Sequence, residues 1–351
     1  MLPIFLEFGD RKIGAGYPCF VIAEAGVNHN GNLDMAREMV RVAARAGADA
    51  VKFQTFKAER LTTAQAPKAA YQQVSSGDDE TQLQMLRKLE LNADDFKALR
   101  QACLEHDVLF MSTPFDEESA DLLDSLGMDI FKIASGEITN LPFLEHVASK
   151  QKPMILSTGM SYLDEVDMAV RTIRATGNHQ LALLHCTSTY PANPADVNLR
   201  AMQTMAQAFQ VPVGFSDHTT GIDIPLAAVA MGACIIEKHF TLDTLLPGPD
   251  HQASLEPKKL EELVRGIRRV ESALGSGRKE PVEGEVETAA VARKSIVARH
   301  NIQAGATLTA NEVVMMRPGT GLPSIMLSYV IGRVARRDIP SGTLISFEMV
   351  E

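Results

Sequence analysis

Two histidines, His218 and His239, each follow a short apolar run, Val211–Phe215 and Ala233–Ile236, and residues Ile222–Gly232 between them read as a helix. The unit is strand, helix, strand, with a histidine at each strand's exit. Strands joined this way in a parallel sheet tend to be neighbours, so the two imidazoles would meet across one mouth with a spacing suited to one divalent metal. For either ring the competing role is a capped structural imidazole. Carboxylates collect at the same exits: Glu24 ends the first strand, Glu237 shares the inward face with His239, and Asp217 and Asp250 flank the histidines. With water they would complete an octahedral site, for which Mn²⁺, Mg²⁺ and Zn²⁺ all remain open.

Two lysines point to an anion. In Val51-Lys52-Phe53-Gln54 the alternation places Lys52 and Gln54 on one face, and the apolar pair must pack on helices, so the lysine points inward. Lys132 lies beside the same mouth, followed by Ser135, Gly136 and Glu137. Hydroxyls recur at successive exits: Ser112-Thr113, Ser135, Ser157-Thr158, Thr187-Ser188-Thr189 and Ser216. One such hydroxyl would be a helix cap. The series, with two ammonium groups, makes a cradle for carboxylate and phosphate together.

The elements that must position these groups are strands at about Phe20–Ala25, Ala50–Gln54, Val108–Ser112, Ile130–Ala134, Met154–Ser157, Leu181–Cys186, Val211–Phe215 and Ala233–His239, alternating with helical patterns. Leu33, Ala36, Val40, Ala43 and Gly47 step by three and four, with Asn32 placed to cap that helix. This order predicts a (β/α)8 barrel; an open doubly wound sheet would carry a Gly-x-Gly-x-x-Gly turn after its first strand, and none is present. The insert from Lys57 to Gln82 is long for a strand-to-helix loop, as lids and specificity loops at this face are. The barrel is expected over residues 1–280 and a Gly/Glu-rich linker over 281–294. A small module over 295–351 contains an internal echo, Val297-Ala-Arg-His-Asn-Ile-Gln-Ala-Gly305 against Val334-Ala-Arg-Arg-Asp-Ile-Pro-Ser-Gly342. The echo suggests two half-motifs folded around each other.

The chain of 351 residues carries a net charge of −10, with 45% hydrophobic and 22% charged residues. A soluble globular protein fits that balance, and no basic stripe marks a nucleic-acid surface. The apolar start breaks at Glu7 and Asp10, the wrong pattern for a secretory signal, and no run is long enough to span a membrane. Cys19, Cys103, Cys186 and Cys234 lie far apart in apolar settings, as reduced thiols of a cytoplasmic protein would.

Several motifs together resemble the sialic acid synthase family: Glu24-Ala-Gly-Val-Asn28-His29-Asn30-Gly31, Lys52-Phe-Gln54, Lys132-Ile-Ala-Ser135-Gly-Glu137, His185-Cys-Thr-Ser188-Thr-Tyr190-Pro191, Ser216-Asp-His218, Glu237-Lys-His239 and Gly248-Pro-Asp250-His251. The tail, with Arg317-Pro-Gly-Thr-Gly321, is similar to the antifreeze-like (SAF) domain of the same enzymes. The resemblance implies condensation of phosphoenolpyruvate with an N-acetylated hexosamine, either N-acetylmannosamine or a diacetylated 6-deoxy analogue leading to legionaminic or pseudaminic acid. It also implies Mn²⁺ on His218 and His239, with Mg²⁺ and Co²⁺ as alternatives. Lys52, Thr113, Lys132, Ser135, Ser157, Ser188 and Ser216 would then surround phosphoenolpyruvate, and Gln54, Glu137, Tyr190, Asp250 and Arg317 the sugar. Glu24, Lys132 and the two histidines would be catalytic, and Arg317 would reach the site of the partner in a domain-swapped homodimer.

The chain departs from the family pattern at Ser188, where some members carry asparagine, and at Met316, where lysine is common. Three rivals remain. A metal-dependent barrel hydrolase would place His-x-His at the end of the first strand, which here holds Ala23-Glu24-Ala25. A Schiff-base aldolase would use Lys52 or Lys132 as nucleophile. A non-catalytic sugar-binding scaffold leaves the inward lysines and histidines without a role.

Overall fold

The structure, a computed structural model, describes residues 5–68 and 80–351. It divides into two compact units, Met1–Gly275 and Ser276–Glu351. The first opens with an antiparallel hairpin, β1 (Phe5–Phe8) and β2 (Arg11–Gly14). Eight parallel strands follow: β3 (Phe20–Gly26), β4 (Ala50–Thr55), β5 (Leu109–Pro114), β6 (Phe131–Ile133), β7 (Met154–Ser157), β8 (Leu181–Cys186), β9 (Val213–Asp217) and β10 (Ile235–His239). Their hydrogen-bonded order is β5-β4-β3-β10-β9-β8-β7-β6, and β5 and β6, at its two ends, lie side by side. The sheet thus curls into a near-barrel, as the alternation of strands and helices predicted.

Period-two alternation sorts the strand residues into two cores. Outward residues such as Val21, Ala23, Val51, Phe53, Phe215 and Ile236 pack in one cluster with the apolar stripes of the surrounding helices. Inward residues at the strands' beginnings, among them Phe20, Ile22, Met111, Ile155 and Ile235, form a second cluster with Leu6, Phe8 and Ile13 of the hairpin. The hairpin therefore closes the N-terminal end of the barrel. Each of its strands is only four residues long, too short to announce itself by periodicity.

Helix Leu33–Arg45 begins at Asn32, whose side chain accepts from the Met35 amide at 2.9 Å, as expected. β9 starts at Val213 and not at Val211, because Pro212 has no N–H to give the ladder. The helix after it spans Asp223–Ala230, within the expected Ile222–Gly232. Of the insert Lys57–Gln82, helix Ala58–Leu61 is described and residues 69–79 lie outside the described residues; helix Gln82–Leu89 begins at its end. Among the described residues no helix is long and apolar enough to cross a membrane.

In the second unit, much of the stretch expected as a linker at 281–294 is helical, Glu283–Ala292. Its composition of Glu and Ala favours a helix, and Glu283 and Glu285 in the first turn suit the dipole; with no buried residue, it shows no apolar stripe in the sequence. Beyond it, β11 (Ser295–Ala298) pairs with β12 (Val313–Met316). The echo becomes a pseudo-twofold. Ile302 and Ile339 exchange both backbone hydrogen bonds, and the Ala298–Thr343 bond in one half repeats as Ala335–Ala306 in the other. Both isoleucines are buried in the unit's own core with Ile296, Leu308 and Ile345.

Candidate active site

A two-residue step beyond the apolar inner cluster, the same inward face becomes polar. Glu24, Lys52, Thr113, Lys132, Ser157, Cys186, Ser216, Glu237 and His239 follow in turn around the C-terminal mouth and line a cavity of about 450 Å³. Gln54, Ser135, Ser188, Tyr190, His218 and Asp250 complete its polar lining. Leu61 of helix Ala58–Leu61 and Met85, Leu86 and Leu89 of helix Gln82–Leu89 form an apolar wall.

The chain turns sharply at two exits. In β3 the pairing slips between Glu24 and Gly26, a bulge that Gly26 accommodates with φ +56°, and a Cβ there would lie 3.3 Å from Glu24 Oε1. At the exit of β7, a Cβ on Gly159 would meet the hydroxyls of Ser188 and Ser135, so only glycine lets its amide reach Ser135 Oγ, to which it donates at 3.0 Å.

The two lysines are buried and paired. Lys52 Nζ lies 2.7 Å from Glu24 Oε2 and 3.8 Å from Glu237 Oε2, and donates to Thr113 Oγ1 at 2.9 Å. Lys132 Nζ donates to Ser157 Oγ at 2.7 Å and to the Ile133 carbonyl at 2.9 Å, with Glu237 Oε1 at 3.7 Å. Ser216 Oγ donates to Glu237 Oε1 at 3.0 Å. Burial alone would discharge these groups. At Lys52 the Glu237 and Glu24 carboxylates outweigh it and hold the ammonium above its ordinary range, whereas at Lys132 burial prevails and lowers the pKa. Burial likewise works to raise Glu237, but the Lys132 and Lys52 ammoniums prevail and keep it ionised. At Glu24 burial wins over Lys52, and Glu237 adds to it, so this carboxyl titrates at about 7. Burial also raises Asp250, to about 6, against the pull of His218.

The imidazoles of His218 and His239 lie with ring centroids 5.4 Å apart, and the Tyr190 ring is 4.1 Å from the first and 5.9 Å from the second. His218 Nδ1 is 2.9 Å from the Thr187 carbonyl, which fixes it as the protonated nitrogen and leaves Nε2 as the free lone pair. Burial, reinforced by the nearby cationic groups, pushes His239 well below its ordinary pKa, and its buried Nδ1 has no hydrogen-bond partner. Burial works to lower His218, but Cys186 outweighs it and raises its pKa, so a divalent cation at Nε2 would take the place of a proton there, while the orphaned buried nitrogen of His239 fits such a cation directly. Among the described residues no group of three or more His, Cys, Asp or Glu is arranged around one ion. A cation here would be held by the two imidazoles.

Two expected site residues of the first unit, Asp217 and Glu137, stand elsewhere. Asp217 is no candidate ligand: it points outward from β9, its carboxylate 2.5 Å from Lys238 Nζ on the far side of the sheet from the cavity. Glu137 does not line the cavity; its carboxylate accepts from Asn140 Nδ2 at 2.8 Å within its own turn. Arg317 belongs to the second unit, where its Nε donates to the Ala292 carbonyl at 2.9 Å. Glu237 faces the cavity as expected, but as the shared counter-ion of both lysines. One group was missed: Cys186, with Sγ 3.7 Å from His218 Nδ1, lines the cavity. It lies at inward parity on a strand already recognised, which is the signal that could have found it.

The NeuB family model matches residues 39–279, and the SAF domain model matches residues 293–351. Across 347 residues, 98% of each chain, the protein is 48% identical to the N,N'-diacetyllegionaminic acid synthase of Legionella pneumophila. It is 40% identical to the N-acetylneuraminate-9-phosphate synthase of Mus musculus, over 100% of this chain and 98% of that one. The crystal structure of the N-acetylneuraminic acid synthetase of Leptospira borgpetersenii in complex with citrate superposes with a TM-score of 0.73 at 38% identity, covering 82% of this chain and 95% of that chain. With its barrel matched by the one model and its tail by the other, the chain belongs to the NeuB family and carries that family's barrel followed by a SAF domain.

Proposed function

We propose that this protein is a nonulosonic acid synthase of the transferase type, condensing phosphoenolpyruvate with the open-chain aldehyde of an N-acetylated hexosamine to give a nine-carbon 2-keto sugar acid and phosphate. The observation that carries the proposal is the presence of two buried lysines and a buried histidine pair in one cavity. Lys52 and Lys132, with the hydroxyls of Thr113, Ser135, Ser157, Ser188 and Ser216, receive the carboxylate and phosphate. Because Glu24 titrates at about 7, it can take up a proton and release Lys52 to the incoming anion. A divalent cation, Mn²⁺ with Mg²⁺ or Co²⁺ as alternatives, held by His218 and His239, would polarise the acceptor's aldehyde oxygen. C3 of phosphoenolpyruvate attacks the aldehyde carbon, water adds at the electron-poor C2, and phosphate leaves with cleavage of its C–O bond. Glu24, beside Lys52, gives the proton it took up to the alkoxide formed at the aldehyde and, ionised again, accepts the proton of that water.

The acceptor is a diacetylated 6-deoxy hexose of the legionaminic type. Two things support this: the 48% identity to a legionaminic acid synthase against 40% to a neuraminate phosphate synthase, and the wall of Leu61, Met85, Leu86 and Leu89, which suits methyl groups. Gln54, Tyr190 and Asp250 supply its polar contacts. Arg317, reaching the acceptor's N-acetyl group across a homodimer, belongs to the same proposal on the strength of the family resemblance. So does a cytoplasmic setting, which accords with four free cysteines. Phosphate release assayed over a panel of N-acetylated hexoses, before and after chelation, tests the proposal. Turnover should be greatest with the diacetylated sugar and lost on chelation; release without any acceptor, or undiminished by chelation, contradicts it. One observation favours a second reading, a Schiff-base aldolase, because burial lowers the pKa of Lys132. Borohydride trapping of pyruvate on that lysine would establish it.

A further inference from the structure

Behind the two histidines, on the opposite face of the same strands, lies a buried ion pair. Asp217 and Lys238 are register partners, each the residue immediately before a histidine. Their side chains are 0% and 1% exposed, so they sit in the layer otherwise filled by apolar contacts between sheet and helices. Lys238 Nζ lies 2.5 Å from Asp217 Oδ2 and also donates to the Thr219 carbonyl. The other donors to Asp217 come from Thr219: its amide to Oδ1 at 2.9 Å and its hydroxyl to Oδ2 at 3.1 Å. The residues on both sides of His218 are therefore tied to the residue that precedes His239.

A buried ion pair is weak evidence for stability, since desolvation consumes most of its attraction and well-packed apolar residues often serve as well. Its better-attested use is to fix registry. Here the registry at stake is specific, because Lys238–Asp217 is the last paired position of β10 against β9 before the chain leaves the sheet at the histidines. We propose that Asp217, Lys238 and Thr219 are positioning residues that hold His218 and His239 at the separation a single divalent cation requires. The proposal rests on the metal reading given above.

The test is Mn²⁺ binding to the full-length apo protein, followed by the loss of the free-ion electron paramagnetic resonance signal, alongside thermal unfolding. The double substitution Asp217→Leu with Lys238→Met removes both charges at similar volume. It is expected to fold while binding Mn²⁺ at least about tenfold more weakly, the scale seen when groups supporting metal ligands are lost. Thr219→Val, which keeps the ion pair and the volume, is expected to weaken binding about threefold with no change in unfolding temperature, and it carries the test if the double variant fails to fold. Unchanged affinity in either folded variant overturns the clamp alone. Wild-type protein that binds Mn²⁺ no better than His218→Ala with His239→Ala overturns the metal reading and the clamp with it.

Discussion

The inward face of the barrel has two ends built from the same strands. At the closed end stand Ile22, Ala50, Met111, Ile130, Ile155, Leu184 and Ile235, sealed by Leu6, Phe8 and Ile13 of the hairpin. Two residues further along each strand stand Glu24, Lys52, Thr113, Lys132, Ser157, Cys186 and Glu237. The closed end gains from burial of apolar surface, at about 25 cal/mol per Å². At the open end burial penalises each charge, and the charges persist because each ammonium faces a carboxylate and a hydroxyl. Stability and chemistry are thereby separated by one step of the pleat, and a substitution should disturb one with little effect on the other.

The largest effect is expected at Lys132. Lys132→Met should lower kcat/KM for phosphoenolpyruvate by about a thousandfold, roughly 4 kcal/mol of transition-state stabilisation, while far-UV circular dichroism stays native. Its mirror at the closed end is Met111→Ala, which leaves a cavity between sheet and hairpin. It should cost about 3 kcal/mol of folding stability in urea titrations, with kcat of the folded enzyme unchanged. If Met111→Ala reduces kcat as strongly as stability, the two ends are not independent. His29 sharpens the comparison from outside both layers. It is buried against Phe53, and burial, opposed weakly by Asp95, lowers its pKa from 6.5 to about 4. Between those values the unfolded chain binds a proton that the native ring refuses, so the ring's contribution to folding stability falls as pH drops from 6.5 towards 4. That contribution should fall by about 2 kcal/mol by pH 5, checked as the difference between wild type and His29→Gln in urea unfolding at pH 7 and pH 5, with the ring followed by histidine-selective NMR. Smallest is Ser157→Ala, which removes one acceptor from Lys132. A roughly tenfold rise in the KM for phosphoenolpyruvate, about 1.4 kcal/mol, with unchanged acceptor KM is expected in steady-state kinetics.

Much of the open end was legible because alternation is a local rule. Lys52, Gln54, Glu237 and His239 face the cavity for the reason given by their sequence neighbours, and the succession of exit hydroxyls followed from the strand count. The same rule, applied to Asp217 between inward Ser216 and His218, would have turned it outward to Lys238. Proximity to a histidine in sequence was the wrong guide. Glu137 lies on a turn past the end of β6, where strand parity no longer applies. The hairpin, the apolar wall of Leu61, Met85, Leu86 and Leu89 and the helix Glu283–Ala292 escaped for a different reason: the first two are short pieces whose apolar residues find partners far away in sequence, and the third buries nothing. The pseudo-twofold of the second unit was visible because its two halves repeat residue by residue at Ala298 and Ala335, Ile302 and Ile339.

The central claim is that the open end directs C3 of phosphoenolpyruvate to the aldehyde and water to C2, and the fate of one oxygen atom tests it. Phosphoenolpyruvate carrying ¹⁸O at the bridging position, turned over with the diacetylated acceptor, should deliver the label to inorganic phosphate, as cleavage of the C–O bond requires. Label retained in the keto-sugar acid would mean cleavage at phosphorus, and would contradict the assignment of the cavity.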